Sequence, residues 1–215
     1  MRGAVVSELA VLTTPLGGPP LARLAGDGGA PAGWYRAQPR SAGAWRGEAE
    51  AVRAEYAGRD WVRTLAPAFE PSGPAAARLR RVADAGGIVV TTGQQPGLFG
   101  GPVYTWNKAL SAIALADALE RATGIPTAPV FWAATYDADF AEASASYVAL
   151  GPTVQRLQMQ PPLEEGRRMR DLPLGDVSAL ARELERAAGS AADPQVLALV
   201  ARAYGPGETV GSCVL

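Results

Sequence analysis

The spacing of apolar residues along the chain changes after Gly86 and again after Gly101. The β-branched run Ile88–Thr92 follows glycine and predicts a buried strand, because branched side chains fill a pleated surface. Beyond the glycine-rich segment, apolar side chains recur at helical spacing over residues 103–121 and cover most of the circumference, which predicts a buried helix. A second apolar run, Pro129–Ala134, predicts another strand. Strands joined through one helix are parallel, so the pattern predicts an α/β fold with a mostly parallel sheet.

Helical spacing before and after this core predicts flanking helices. The predicted helices cover residues 42–57, 75–85, 176–188 and 193–204. Alternating residues around Gly151 and Pro152 predict a β-hairpin between the core and the last two helices. The chain therefore divides into a helical front with a lead-in (1–85), a βαβ core with the glycine loop (86–145) and a hairpin with two helices (146–215). We expect the third part to be an inserted connecting segment.

Composition excludes several classes of function. With 215 residues and 48% hydrophobic content, the chain can bury one sizeable core. A net charge of −1 gives no broad footprint for nucleic acid or an anionic membrane. The absence of histidine removes Ser-His-Asp and Cys-His catalysis, and one cysteine leaves neither a disulfide framework nor an ordinary zinc site. Any metal would have to be a hard ion held by carboxylates. We assign no residue of this sequence as a metal ligand.

The loop between the first strand and the long helix is the first candidate site. Its glycines permit positive φ and close approach of a ligand, and they are Gly93, Gly97, Gly100 and Gly101. Pro102 suits the first turn of the helix, and open α/β sheets bind ligands at this edge. Gln94 and Gln95 offer donors and acceptors for hydroxyl, amide, amino-acid or phosphate groups. The structural alternative is a tight turn that the glutamines merely cap.

Charged residues near this edge extend the candidate site. Lys108 lies one turn into the helix, where the dipole does not favour a cation, so an anionic ligand would explain it. The alternative is an ion pair with Asp137 or Asp139. Pairing of these two carboxylates could raise the pKa of one of them, which would then act as a general base on an amine. The pair could instead bind Mg²⁺. Alternatively, one of the two aspartates is a helix N-cap and the other is a surface acid.

The single cysteine, Cys213, is interpreted as a small buried hydrophobic residue.

Two long motifs carry a resemblance to a known family. They are Thr92-Gly93-Gln94-Gln95 with Gly97-Leu98, Gly101-Pro102, Tyr104-Thr105 and Lys108, and then Pro129-Val130-Phe131-Trp132 with Asp137-x-Asp139-Phe140. In order and spacing they resemble the cysteine ligase family of bacillithiol biosynthesis, and weaker similarity includes the late segment Tyr204–Thr209. The resemblance implies a Rossmann-like core with inserted connecting segments and a coiled-coil arm for dimerisation. It also implies a ligase that joins cysteine to the amine of glucosaminyl malate.

The same resemblance implies roles for individual residues. The implied substrate-binding residues are Thr92, Gly93, Gln94, Gln95, Gly97, Tyr104 and Lys108. The implied catalytic residues are Asp137 and Asp139. We expect cysteine and glucosaminyl malate as partners in the cytoplasm, with no nucleic acid and no membrane. The cofactor is not identified by the sequence.

Two departures from the family leave alternatives open. Family members have Glu-Asp-His-Asp where this chain has Tyr136-Asp137-Ala138-Asp139, and they are considerably longer. One alternative is therefore an incomplete, non-catalytic copy. The enzymatic alternative is a nucleotidyl-transferase-like domain whose glycine loop binds ATP with Mg²⁺. Because the family places further strands beyond Leu215, we expect a truncated fold with an open sheet edge or apolar patch. A missing carboxy-terminal half or a second copy of the chain would cover it.

Overall fold

The computed structural model describes residues 19–26, 34, 39, 41–150, 153–160, 166–189 and 193–214. Residues 1–41 and 42–215 form two separate compact units. The first unit contains the helix α1 (Pro20–Gly26). The second contains the elements that bear the candidate site. The division into three parts at residues 85 and 145 stays a prediction.

The second unit alternates helices and strands. Its helices are α2 (Ala42–Glu55), α3 (Trp61–Leu65), α4 (Gly73–Asp84), α5 (Val103–Thr123), α6 (Phe140–Ala143), α7 (Ser178–Ala188) and α8 (Pro194–Ala203). Its strands are β1 (Ile88–Gln94), β2 (Thr127–Ala133), β3 (Ala145–Leu150) and β4 (Thr153–Gln158). Short 3₁₀ turns cover Ala66–Ala68, Leu98–Gly100, Met169–Asp171 and Ser212–Val214. The four predicted flanking helices are confirmed as α2, α4, α7 and α8. None of the described helices is both long and apolar enough to cross a membrane.

The strands form two pairs of different kinds. β1 and β2 are parallel, with Ile88 opposite Thr127 and Gln94 opposite Ala133. β3 and β4 are antiparallel and confirm the predicted hairpin, although its turn residues 151 and 152 lie outside the described part of the chain. α5 joins β1 to β2 and contacts both strands, while α2 contacts α5 and β1. The predicted α/β fold with a parallel strand pair and flanking helices is confirmed.

α5 begins and ends at residues that favour those positions. Pro102 has φ −69° and ψ 155° and is the N-cap, so the helix begins at Val103 as predicted and the proline directly precedes its first turn. Gly124 ends the helix in the left-handed region at φ 73°, and its N–H donates to the carbonyl of Glu120. These two caps fix where the helix enters and leaves the β1–β2 layer.

The prediction that α5 is buried all round is wrong. Ala112, Ala116 and Leu119 are buried, and the small side chains of the two alanines let the helix approach the strands closely. The larger apolar residues form an exposed row, which we call the α5 apolar stripe: Val103 (73% exposed), Trp106 (56%), Leu110 (60%) and Ile113 (44%). Phe131 and Trp132 of β2 are also exposed. These exposures agree with the expected apolar patch.

Ion pairs hold α4 against α5 and β2. Arg78 contacts Asp117 at 2.7 Å, and its Nε donates to the carbonyl oxygen of Thr127 at 2.8 Å. Arg81 forms a two-pronged pair with Glu120, and this hydrogen bonding is the largest cause of the lowered pKa of Glu120. The helix that precedes β1 is therefore tied to the helix that follows it, and the strand pair between them is fixed.

The largest buried cluster connects the glycine loop to the carboxy-terminal part of the chain. Leu98 of the loop is 1% exposed and belongs to the same cluster as Leu157, Met169 and Cys213. Tyr204 and Phe99 pack against this cluster. Residues 146–214 therefore provide much of the apolar support beneath the candidate site.

Candidate functional site

The candidate residues meet where β1 and β2 end. The pairing of the strands continues one step past β2, because the N–H of Ala134 donates to the carbonyl of Gln94 at 3.0 Å. The glycine loop follows β1 and the acidic segment 135–139 follows β2. The prediction that both segments lie at one sheet edge is therefore confirmed, and side chains from the two segments make contact.

Two glutamine amides link the two segments. Gln95 Nε2 donates to Asp137 Oδ2 at 3.0 Å and to Glu142 Oε2 at 3.2 Å. Gln94 Nε2 donates to Gln95 Oε1 at 2.8 Å. Gln95 therefore satisfies two carboxylates through one amide group, and Gln94 orients it. We call the side chains of Gln94, Gln95, Lys108, Asp137 and Glu142 the site network.

Lys108 completes the network from α5. Its Nζ donates to Gln94 Oε1 at 2.7 Å and to the carbonyl of Gly93 at 3.3 Å, and it lies 5.3 Å from the ring centroid of Tyr104. The Tyr104 hydroxyl in turn accepts from Gln94 Nε2 at 3.4 Å. Within the described residues, Lys108 forms no ion pair, so the alternative pairing with Asp137 or Asp139 is not formed. Lys108 is also the sole lysine of the sequence.

The two aspartates that the sequence singled out have different surroundings. Asp137 Oδ1 accepts from the N–H of Asp139 at 3.0 Å, and this bond is the main cause of a lowered pKa, followed by the bond from Gln95. The hypothesis that pairing raises the pKa of a general base does not hold for Asp137. Asp139 is the N-cap of α6, since its Oδ1 accepts from the N–H of Glu142 at 3.1 Å. The capping alternative therefore describes Asp139.

Glu142 is a network residue that was not selected from the sequence. Its contact with Gln95 depends on α6 turning back toward the glycine loop. Two backbone hydrogen bonds stabilise this turn: Met169 N donates to the carbonyl of Asp137, and Arg170 N donates to that of Thr135, both at 2.9 Å. A local sequence pattern does not reveal such support, which comes from about thirty residues further along the chain.

The glycines of the loop are required for two different reasons. Gly100 has φ 87° and Gly101 has φ 72°, as predicted. Gly97 has φ −153° and Gly93 lies in β1 without a positive φ, so the expectation of positive φ is wrong at both positions. Gly97 is needed for close approach instead, because a Cβ at this position would lie 2.7 Å from the Cα of Gly101. The loop is folded tightly on itself and is not an open cradle.

The remaining residues singled out from the sequence do not belong to the site network. Thr92 lies within β1, opposite Phe131. Tyr136 and Ala138, where the family has an acid and the histidine, are both exposed. Cys213 is buried, and burial raises the pKa of its thiol to about 11, as expected for a small apolar residue without thiolate chemistry. No group of three or more acidic or thiol side chains suited to a metal ion occurs among the described residues.

Comparison with known proteins identifies what the chain is similar to. Residues 33–214 match the family described as "Bacillithiol biosynthesis BshC, N-terminal Rossmann-like domain". Relatives carry the name "Putative cysteine ligase BshC". The relative from Heliobacterium modesticaldum is 53% identical over 73 residues, which is 34% of this chain and 13% of the relative. The relative from Geobacillus sp. (strain WCH70) is 33% identical over 115 residues, which is 54% of this chain and 21% of the relative.

A third relative, from Solibacter usitatus, is 45% identical over 84 residues, which is 39% of this chain and 16% of the relative. The matched segments thus span about a fifth or less of the relatives' lengths. The site network lies inside the matched family region.

Proposed function

Since this chain belongs to the family of the BshC N-terminal Rossmann-like domain of bacillithiol biosynthesis, we propose that it forms a substrate-binding part of a cysteine ligase. The ligase adds cysteine to the amine of glucosaminyl malate. The site network holds the acceptor at the end of β1 and β2, and the protein acts in the cytoplasm. Family membership supports the reaction, and the contacts of the network support the way in which the substrate is held.

The ammonium group of Lys108 is the observation that carries the proposal. Its hydrogen-bond partners in the described structure are a neutral amide and a backbone carbonyl, so its charge is not balanced by a carboxylate. A cation held in this way near the start of a helix suits a carboxylate ligand, which adds a charge-assisted hydrogen bond. Glucosaminyl malate brings the carboxylates of its malate group. We therefore assign Lys108 to that end of the acceptor.

The acidic side of the network suits the amine of the same substrate. Asp137 and Glu142 both contact the amide of Gln95, and a substrate ammonium placed there would gain two carboxylate acceptors. Because backbone and Gln95 hydrogen bonds lower its pKa, Asp137 stays ionised at neutral pH and orients the amine instead of deprotonating it. Its contribution to stability is complete above about pH 4, the unfolded value, and is lost as the pH falls through the lowered folded value.

The reaction replaces a carboxyl C–O bond of cysteine by an amide C–N bond. The acceptor nitrogen attacks the carboxyl carbon, and the displaced carboxyl oxygen leaves as water with two protons that the acceptor ammonium gives up. Orientation of the amine by Asp137 reduces the entropic barrier to this attack. Thr92 and Gly93 lie in β1 at the same edge, and Tyr104 places a ring beside Lys108. We propose these three as substrate contacts, whereas Gly97 is buried and shapes the loop.

A calorimetric titration of the 215-residue chain tests this function. Glucosaminyl malate is expected to bind with favourable enthalpy, because the network offers charged partners to both of its ends. A parallel titration with ATP and Mg²⁺ tests the nucleotidyl-transferase alternative, for which no described cluster supplies a metal site. Binding of ATP together with no binding of glucosaminyl malate would reject the proposal.

A further proposal concerns what covers the α5 apolar stripe. We propose that its partner is additional polypeptide equivalent to the part of the relatives that lies outside the matched segments. The stripe is 44% to 73% exposed at its four positions, and large apolar patches on soluble proteins mark interaction sites. Phe131 and Trp132 of β2 are also exposed, so the additional polypeptide would have to cover them as well. A homodimer formed through the stripe is the competing outcome.

Light scattering coupled to size-exclusion chromatography tests the partner proposal. The 215-residue chain alone is expected to self-associate, and the double variant Leu110→Glu with Ile113→Glu is expected to be monomeric. Leu199→Glu on α8 serves as the control, because this residue is also exposed (52%) but lies outside the stripe. Co-expression with the remaining part of the Heliobacterium relative should give a one-to-one complex. A wild-type chain that is monomeric and binds no hydrophobic dye would contradict the proposal, and a stable homodimer that excludes the added polypeptide would favour the competing outcome.

A further inference from the structure

We propose that Tyr204 is a positioning residue: its hydroxyl closes the glycine loop and thereby sets the geometry of the site network. The importance of this role for catalysis rests on the proposed function, whereas the closure of the loop does not. Tyr204 follows α8 and lies more than a hundred positions along the chain from the loop that it contacts.

Three hydrogen bonds join Tyr204 to the loop and the loop to itself. The Tyr204 hydroxyl donates to the carbonyl of Gly97 at 2.9 Å and accepts from the N–H of Gly100 at 2.9 Å. The same N–H of Gly100 also donates to the carbonyl of Gly97 at 3.0 Å. One hydroxyl therefore bridges both ends of the 3₁₀ turn Leu98–Gly100. Without it, only backbone bonds would close the turn, from the N–H of Gly100 to the carbonyl of Gly97 and from the N–H of Gly101 to that of Leu98.

The residue between these glycines has an unusual conformation. Phe99 has φ 53°, a left-handed value that among the described residues no other non-glycine residue adopts. Its ring packs against that of Tyr204, with centroids 5.0 Å apart. An uncommon backbone conformation persists where its surroundings determine it, and here the surroundings are the Tyr204 ring and hydroxyl. The ring contact and the hydroxyl bonds can be separated by mutation.

The closed loop is directly connected to the site network. Gln95 lies two residues before Gly97, and α5, which carries Lys108, begins three residues after Gly100. A Cβ on Gly100 would lie 2.6 Å from the ring of Trp106, so the turn is also packed against the first part of α5. Closing the turn between Gly97 and Gly100 therefore fixes Gln95 and Lys108 relative to each other. Because the Tyr204 hydroxyl is buried and its pKa is raised, it stays protonated and able to donate at neutral pH.

The test removes the hydroxyl and keeps the ring. In the 215-residue chain, Tyr204→Phe is expected to speed exchange of the Gly100 amide roughly tenfold, since two hydrogen bonds of ordinary strength are lost. The rate at which an acylating reagent modifies Lys108 in the ligand-free chain should also change, and affinity for glucosaminyl malate should fall roughly tenfold. Circular dichroism and measurement well below the melting temperature ensure that only folded protein is compared.

Two further variants make the outcome specific. Tyr147→Phe removes a hydroxyl from an exposed side chain on β3 and should leave all three measurements unchanged. Phe99→Leu weakens the ring contact but keeps the hydroxyl bonds, so it should keep most of the protection of Gly100. The proposal is overturned if Tyr204→Phe lowers only the melting temperature, or if Phe99→Leu has equal effects on exchange and labelling. If the wild-type chain binds no glucosaminyl malate, the proposed function fails, while exchange and Lys108 labelling still decide the role of Tyr204.

Discussion

Gly97→Val is expected to reduce ligand affinity about 10- to 100-fold and to lower the free energy of unfolding by about 1–3 kcal/mol. The added Cβ would lie 2.7 Å from Gly101 Cα and 3.2 Å from Gly101 N, and both are backbone atoms that cannot rotate away. The loop must open to relieve this clash. Opening separates the carbonyl of Gly97 from the Tyr204 hydroxyl and from the N–H of Gly100.

The effect on affinity follows from the population of the closed loop. If closure becomes unfavourable by the same amount as the lost stability, only a small fraction of molecules presents the site network in its binding arrangement. Calorimetric titration with glucosaminyl malate and thermal unfolding measure the two effects. Gly47→Val is the matched control, because a Cβ on Gly47 in α2 meets no atom within 4 Å. Equal affinities for wild-type and Gly97→Val would show that the closed loop is not needed.

The order of elements around the site could be predicted because local patterns determine it. The β-branched run Ile88–Thr92 and the apolar run before Tyr136 become β1 and β2, and the intervening helical period becomes α5. Caps such as Asp193 and Gly124 occupy the positions that their backbone preferences favour. Parallel pairing then brings the two loops to one edge. The strands, the helix and their pairing are all determined within residues 88–134.

The surroundings of single side chains were predicted less well. The apolar circumference of α5 predicts burial, but only its alanine-rich face packs on β1 and β2, and the α5 apolar stripe stays exposed. Periodicity identifies which side chains are apolar and cannot show whether a partner surface is present. The prediction of a raised pKa likewise required the carboxylates of Asp137 and Asp139 to lie close together. In the structure, Asp137 instead accepts the backbone N–H of Asp139, and its pKa is lowered.

Contacts across long sequence distances were not predictable at all. Tyr204 reaches Gly97 and Gly100 from the end of α8, and Met169 supports the carbonyl of Asp137. No spacing rule links such positions within one sequence. They are nevertheless contacts that hold the glycine loop and the acidic segment in the observed arrangement.

Lys108 is expected to be strongly protected from acylation when glucosaminyl malate is bound. Its ammonium contacts Gln94 Oε1 and the carbonyl of Gly93 in the free chain, and the proposal has it contact a substrate carboxylate in the complex. At thirty times the dissociation constant, about 3% of sites are free, so the labelling rate should fall about thirtyfold. Glucosamine lacks the malate carboxylates and should protect Lys108 far less.

The labelling rate of Lys108 is the most direct test of the claim that this sheet edge binds the acceptor. Because the chain has a single lysine, peptide mass spectrometry distinguishes its modification from that of the terminal amine without further mutation. The amino terminus serves as the internal control for reagent activity. The account predicts loss of Lys108 labelling that follows ligand occupancy measured by calorimetry. Unchanged labelling of Lys108 in a chain saturated with glucosaminyl malate would contradict it.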